Sequence, residues 1–352
     1  MRDVSAWWMR HARVNLPGSA NVAKTKLSIA CIMTDRSRPL FDGRVTMPDF
    51  ELEPLDIEPE EIFRRALNEK LFEISELSMG SHITTTARGD ASYIAVPVFL
   101  SRVFRHSAIF IRTDRGIKSA ADLAGRRIGV PEYQQTAGVW VRGILRDEYG
   151  VDTKNMSWRT GGLEKAGVAE RIKVDLAPGH DVAAIGPTQT LNQMLADGEI
   201  DAIFSPRPPS CYDNKSAPVD RLFPDYMTAE KDYFGKTGFF PIMHALTIRK
   251  DVAEKHPALP RQLFEAFAKA KALSLNELSL NNVLRVSLPW VPVNYEDARS
   301  VMGKNVWPYG FAANKAEVSA MTRHVFEDGL ARRTVDPAEL FHPSTLDLQD
   351  VI

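Results

Sequence analysis

Short apolar runs alternate along the chain with longer amphipathic stretches, and that alternation predicts strands and helices in turn. Lys26–Met33 reads as an opening strand that runs into the polar turn Thr34–Pro39. Phe50–Ile57 reads as a second strand, and Glu58–Asn68 as a helix with acidic residues in its first turn. Phe72–Leu77 reads as a strand whose period of two puts Phe72, Ile74 and Glu76 on one face. Glu76 therefore closes an otherwise apolar face. A helix is expected from near Ser81, with His82 in its first turn. Two apolar runs, Ala95–Leu100 and Ala108–Ile111, then flank a polar knot of Ser101, Arg102, Arg105, His106 and Ser107.

Downstream, Lys118–Gly125 reads as a short helix, Arg126–Val130 as a strand and Thr136–Tyr149 as a helix stopped by Gly150. Trp158–Thr160 reads as a strand edge, Thr188–Gly198 as a helix and Ile200–Phe204 as a strand. The charged stretch Leu163–Leu176 between them has no clear period. Phe240–Arg249 is strand-like, Val252–Asn276 a long amphipathic helix interrupted early by Pro257 and Pro260, and Asn294–Met302 and Lys315–Gly329 further helices, before an irregular tail at Pro337–Leu346. Strands separated by helical crossovers imply parallel pairing and an α/β fold.

The chain's 352 residues favour two domains. A net charge of -1 argues against a nucleic-acid partner bound by bulk charge. Only Cys31 and Cys211 are present, in no metal or redox spacing, so a reducing compartment is the simpler expectation. The head, Met1–Lys26, is basic, but its longest apolar run, Ala6–Met9, is too short for a secretory signal. It reads as a mobile extension over residues 1–25. No run has the length of a membrane helix, so a cytoplasmic location with no membrane partner is expected. The oligomeric state stays open, a homo-oligomer included.

The polar knot suggests an anionic ligand. Arginine forks match carboxylates, and histidine exchanges a proton near neutral pH. The competing reading is a loop of solvated arginines with a capping histidine.

Two segments, Lys118–Pro131 and Met194–Phe204, resemble the helix–glycine–strand entry and a later helix–strand of type II periplasmic-binding-protein folds. The resemblance implies two α/β lobes with a ligand cleft between them. Lobe one would be 26–112 plus 238–352, with a helical C-terminal part, and lobe two 113–237. Leu27–Cys31, Asp35–Leu40, Glu76–Ser78, Ala87–Asp90, Pro97–Phe99, Phe104–Ser107, Phe240–His244 and Glu339–Pro343, in that order, further resemble the 4,5-dihydroxyphthalate decarboxylase family. That resemblance spans about residues 27 to 346 and implies a cofactor-independent carboxy-lyase of aromatic catabolism. Its substrate would be a small aromatic dicarboxylate, and its product protocatechuate. The N-terminal extension and His82 depart from the family pattern.

Such chemistry needs cations for two carboxylates and an acid over the ring. Arg105, Arg102 and Ser107 are the first candidates for substrate binding, followed by Arg36 after the opening strand and Arg207 in Ser205–Pro209. The helix start at Thr136 adds backbone donors, and His82 marks a further substrate-facing position. For proton transfer the order is His106, His244, His82 and Glu76, against a hydrogen-bonded core role for His244 and an orienting role for Glu76. A mixed metal site of Glu76, His82, His106 and His244 is the minority alternative, with no ligand spacing behind it. Two other functions stay in view. One is a cytoplasmic solute-binding protein for a carboxylate. The other is a thiamine-precursor relative, which would call for a cysteine-rich run the chain lacks.

Overall fold

The computed structural model describes residues 23–350, apart from position 56. Of the expected N-terminal extension, residues 1–22 lie outside the described residues. Strands β1 (Thr25–Ala30), β2 (Phe50–Pro54), β3 (Ile74–Ser78), β4 (Tyr93–Arg102) and β11 (Ile242–Arg249) form one sheet in the order β2-β1-β3-β11-β4. β1 runs parallel to β2 and β3, and β11 runs antiparallel to both β3 and β4. A second sheet has the order β10-β5-β9-β6-β7-β8. Its strands are β5 (Ile109–Arg112), β6 (Arg127–Val130), β7 (Ser157–Thr160), β8 (Asp181–Ala184), β9 (Ala202–Phe204) and β10 (Val219–Arg221). β7 lies inside this sheet, between β6 and β8, and not at the edge its sequence suggested. β8 and β10 are too short to show a period, which is why the pattern of apolar residues misses them.

The chain crosses to the second sheet between Arg102 and Ile109 and returns between Arg221 and Ile242. Helices α1 (Arg38–Phe41), α2 (Pro59–Glu69) and α3 (Met79–Arg88) belong to the first lobe. Helices α4 (Thr136–Tyr149), α5 (Leu191–Asp197) and α6 (Ser210–Asp213) belong to the second, and α7 (Tyr226–Thr237) lies on the return. The interruption expected in Val252–Asn276 divides it into α8 (Lys250–Lys255) and α9 (Leu259–Leu278), with Pro257 between them and Pro260 in the first turn of α9. α10 (Val291–Met302) and α11 (Phe311–Glu327) follow.

β4 is the outermost strand of its sheet and carries Pro97, a residue suited to an edge. The C-terminal part covers that edge. Gly310 N–H donates to Pro97 O at 2.8 Å, His342 N–H to Ala95 O at 2.8 Å and the Trp307 indole to Phe99 O at 2.7 Å. The tail that looks irregular in sequence thus satisfies an otherwise open row of backbone groups.

The same C-terminal part holds the second lobe. Arg142, on α4, is fully buried and donates to Asp328 Oδ2 at 2.7 Å and to Tyr133 O at 2.8 Å. Arg146 reaches Asp328 Oδ1 at 2.5 Å. The Asp328 carboxylate, just past α11, so locks α4 by two charge-assisted bonds.

Candidate active site

The lobes meet where two helices begin. α3 starts directly after Ser78, at the end of β3, and α4 starts at Thr136. The Thr136 hydroxyl lies 2.7 Å from the Ser78 hydroxyl and accepts from Gly80 N–H at 2.9 Å. Ser81 donates to Gln134 Oε1 at 2.6 Å, and Gln134 donates to Glu132 Oε2 at 2.8 Å. A Cβ at Gly80 would stand 2.5 Å from the Gln134 carbonyl oxygen, so only glycine lets the backbones approach this closely.

Beside this seam the ends of β3 and β11 carry a carboxylate–imidazole pair. His244 sits opposite Ser78, and Leu246 opposite Glu76, so Glu76 and His244 are diagonal neighbours on one face. Nδ1 of His244 lies 2.6 Å from Glu76 Oε1. The second oxygen of Glu76 accepts from Ile32 N–H, just past β1, at 2.8 Å. Glu76 is buried, with both oxygens engaged, whereas His244 keeps 20% of its side chain exposed. Nε2 of His244 has no protein partner among the described residues. A carboxylate accepting from Nδ1–H fixes the tautomer, makes Nε2 the reactive nitrogen and stabilises the imidazolium. Cys31 lies close to this pair, and burial, reinforced by the Glu76 charge, pushes its thiol pKa up and keeps it protonated.

Phe63, on α2, packs edge-on against the His244 ring with 4.7 Å between centroids. Phe63 also carries over its ring a guanidinium from the second lobe, Arg171, 5.2 Å from the centroid and 3.2 Å from Glu132 Oε1. Arg171 and Glu132 line a cavity of about 290 Å³ between the lobes, together with Glu60, Gln135, Ser205 and Arg207. That volume lies at the small end of ligand pockets and suits a single aromatic ring. Burial pushes the Glu132 carboxyl above its usual range, against the pull of Arg171. Burial also pushes Glu170 up to about 7; one of its oxygens accepts Tyr133 N–H at 2.6 Å and the other is buried without a partner. A larger depression of about 710 Å³ runs along edge strand β2. Its lining includes an exposed Lys26–Glu51 ion pair at 3.8 Å and no histidine, so size alone does not mark the site.

No protein-family model matches the chain. A curated relative, the 4,5-dihydroxyphthalate decarboxylase of Comamonas testosteroni, is 44% identical over 326 residues, covering 93% of this chain and 99% of the relative. A second, the 4,5-dihydroxyphthalate decarboxylase of Pseudomonas putida, is 46% identical over 215 residues, covering 60% of this chain and 82% of the relative. The chain belongs to the 4,5-dihydroxyphthalate decarboxylase family. Among solved structures, the periplasmic aliphatic sulphonate binding protein SsuA of Escherichia coli superposes with a TM-score of 0.50 at 15% identity, covering 91% of this chain and 98% of SsuA. The two-lobed periplasmic-binding-protein-like fold expected from the sequence is the fold of this family member.

Within this decarboxylase-family chain the residues singled out from sequence separate into two groups. Glu76 and His244 come together, Arg207 lines the inter-lobe cavity and Thr136 forms the seam. Arg207 also bridges the cleft mouth to Glu60 at 2.8 Å.

The polar knot goes elsewhere, which corrects its first-ranked place. Arg102 is fully buried and engaged, donating to Glu317 at 3.0 Å, to Phe240 O at 2.7 Å, to Pro308 O at 3.0 Å and to Asn314. It fastens α11 to the hinge. The Arg105 guanidinium is nine-tenths buried and donates to Met243 Sδ at 3.1 Å; burial draws its pKa down to about 10. Ser107 donates its backbone N–H to Glu230 at 3.1 Å. His106 packs among Tyr149, Phe223 and Tyr233, and neither ring nitrogen has a partner. Thr136, at the seam, begins α4, and Tyr149, against His106, ends it about 20 Å away. Burial lowers the His106 pKa to about 4 and keeps the ring neutral.

His82 is also buried, donates from Nε2 to Leu340 O at 2.9 Å and is held at about 4 by burial. It stabilises the C-terminal tail, not a ligand. Arg36 pairs with Asp35 at 2.8 Å, donates to Leu100 O at 3.2 Å and lies 3.7 Å over the Trp307 ring. The four-residue metal alternative is therefore dispersed. Among the described residues no group of three or more His, Cys, Asp or Glu side chains is placed to hold a metal. Phe63, Glu132 and Arg171 escaped the sequence reading. The only local signal was the Gly161-Gly162 pair that opens the charged stretch carrying Arg171.

Proposed function

We propose that this chain is a carboxy-lyase that converts 4,5-dihydroxyphthalate to protocatechuate and CO2, with His244 as proton donor and Glu76 as the partner that holds and orients it. The carrying observation is the Glu76–His244 pair at the strand ends, one nitrogen bonded to a buried carboxylate and the other without a partner among the described residues, joined through Phe63 to Arg171 on the wall of the inter-lobe cavity. Family membership points to the substrate.

In the proposed step, protonated His244 gives its Nε2 proton to the ring carbon that bears a carboxylate. The hydroxyl para to that carbon feeds electron density onto it and makes it basic enough to accept the proton. The bond from ring carbon to carboxylate then breaks. Its electron pair restores the aromatic ring, and the carboxylate leaves as CO2. Neutral His244 regains a proton from solvent, so the net reaction adds one proton and releases one CO2. Glu76 holds the imidazole by Nδ1 so that Nε2 presents the proton. Arg207 provides a cation on the cavity wall for a substrate carboxylate, and the Phe63 ring keeps one flank of the imidazole apolar. Fixed charges in a narrow cleft do more for such a step than the same groups in water.

The test is to incubate the purified chain with 4,5-dihydroxyphthalate and follow CO2 and protocatechuate together. The reading requires both in equal amounts. Binding without turnover contradicts it and favours a receptor.

A further inference from the structure

The residues from Leu163 to His180 form a strap between β7 and β8 that leaves its own lobe. Asn68 Nδ2 on α2 donates to Arg171 O at 3.4 Å, and Arg88 on α3 donates to Lys173 O at 2.6 Å. Farther on, Ala177 N–H donates to Gly329 O at 3.0 Å and Arg332 to Leu176 O at 3.1 Å. The strap is thus tied to the first lobe through α2, α3 and the segment after α11, and Arg171 lies near its middle.

The guanidinium of Arg171 differs from those of Arg102 and Arg142. Arg102 has four hydrogen-bond acceptors, and Arg142 bonds both Asp328 and the Tyr133 carbonyl. The side chain of Arg171 is only 11% exposed, yet its one polar contact among the described residues is the 3.2 Å approach to Glu132. A guanidinium carries five N–H donors in a planar fork, so most of the Arg171 donors are uncommitted, and the residue lines the cavity. The Phe63 ring contacts both this cation, at 5.2 Å, and the His244 ring, at 4.7 Å. Glu132 holds a second bond, from Gln134 Nε2, and does not depend on Arg171 for its place.

We propose that Arg171 is the clamp for one carboxylate of the substrate, and that Glu132 occupies the guanidinium until that carboxylate displaces it. This rests on the decarboxylase reading above and names the residue that would set its preference for a dicarboxylate. A forked pair of charge-assisted bonds would orient the ring as well as hold it. Three carboxylates, Glu60, Glu132 and Glu170, surround the position, so an incoming anion must compete with Glu132 for the cation.

The probe is phthalate, which has both carboxylates and no hydroxyl para to either. Its binding to the full chain is measured by titration calorimetry for wild type, Arg171→Gln and Glu132→Gln, with a thermal melt of each to establish folding. Arg171→Gln should weaken phthalate at least 30-fold. Glu132→Gln, which removes the competitor and keeps its shape, should tighten phthalate several-fold. The opposite signs separate a clamp from a structural ion pair, whose loss would act alike from either side. Wild type that binds no phthalate, a folded Arg171→Gln within threefold of wild type, or a Glu132→Gln that weakens binding would each overturn the proposal. If Arg171→Gln fails to fold, Glu132→Gln still decides it. Turnover of 4,5-dihydroxyphthalate by wild type is run alongside. Phthalate binding that follows the predicted pattern without turnover leaves the clamp standing and removes the decarboxylase reading. Turnover with kcat/KM unchanged in Arg171→Gln does the reverse.

Discussion

Glu76→Gln is the narrowest perturbation of the acid–base pair, because it removes a charge and almost no volume. The carboxylate accepts two hydrogen bonds, from His244 Nδ1 at 2.6 Å and from Ile32 N–H at 2.8 Å, and Glu76 is 1% exposed. A glutamine amide has one oxygen and one NH2, so it can accept only one of the two. If its oxygen stays on Ile32 N–H, the NH2 faces Nδ1 and obliges that nitrogen to accept. The proton then moves to Nε2 on a neutral ring, a far weaker acid than imidazolium. A hydrogen bond to a charged group contributes about 1.5–3 kcal/mol. Lost only where the imidazolium is needed, that sum lowers kcat by roughly 10- to 150-fold. KM should change little, since Glu76 lies behind His244 and touches no substrate. The assay is the initial rate of protocatechuate formation over a range of 4,5-dihydroxyphthalate concentrations, with a thermal melt as the folding control. A folded Glu76→Gln with kcat within twofold of wild type would refute the charged-pair argument.

Two further outcomes concern the frame. Asp328→Ala leaves Arg142 buried beside an empty space, and breaking such a pair from one side costs about 3–5 kcal/mol; the midpoint of urea unfolding should fall accordingly. His106 is held at about 4 against an ordinary 6.5, so the unfolded chain binds more protons between those values. Wild type should then lose up to roughly 3 kcal/mol as pH falls from 6.5 to 4. In His106→Phe, which suits the cage of Tyr149, Phe223 and Tyr233, that part of the loss disappears. Urea unfolding of both chains at pH 7 and pH 4.5 shows it as a stability difference that grows at the acid end.

Local order was the easiest part to read. Helix α4 runs from Thr136 to Tyr149 as its apolar period and Gly150 indicate, with Gly150 in the left-handed conformation at φ 65°. Glu76 and His244 each stood out as an ionisable residue in an apolar strand. Their contact did not, because it depends on β11 inserting between β3 and β4 across 168 residues of sequence. The same limit misled the reading of the polar knot. Two arginines and a histidine between strands look like a ligand site until Glu317 and Asn314 arrive from α11 to engage Arg102, and aromatic rings from α4, α7 and the return segment enclose His106. Arg171 had the opposite problem. It lies in a stretch without period, and only the strap's crossing to α2 sets it against Phe63. Long-range contacts decided which charges are structural and which face the cleft.

The central claim is that His244 supplies the proton. Its most direct test is single-turnover release of CO2 from 4,5-dihydroxyphthalate by His244→Gln, with phthalate affinity measured on the same preparation. The rate should fall about 100- to 10,000-fold, the range for removal of a general acid, while phthalate still binds within a few-fold of wild type. Release of CO2 at the wild-type rate from a folded His244→Gln would contradict it.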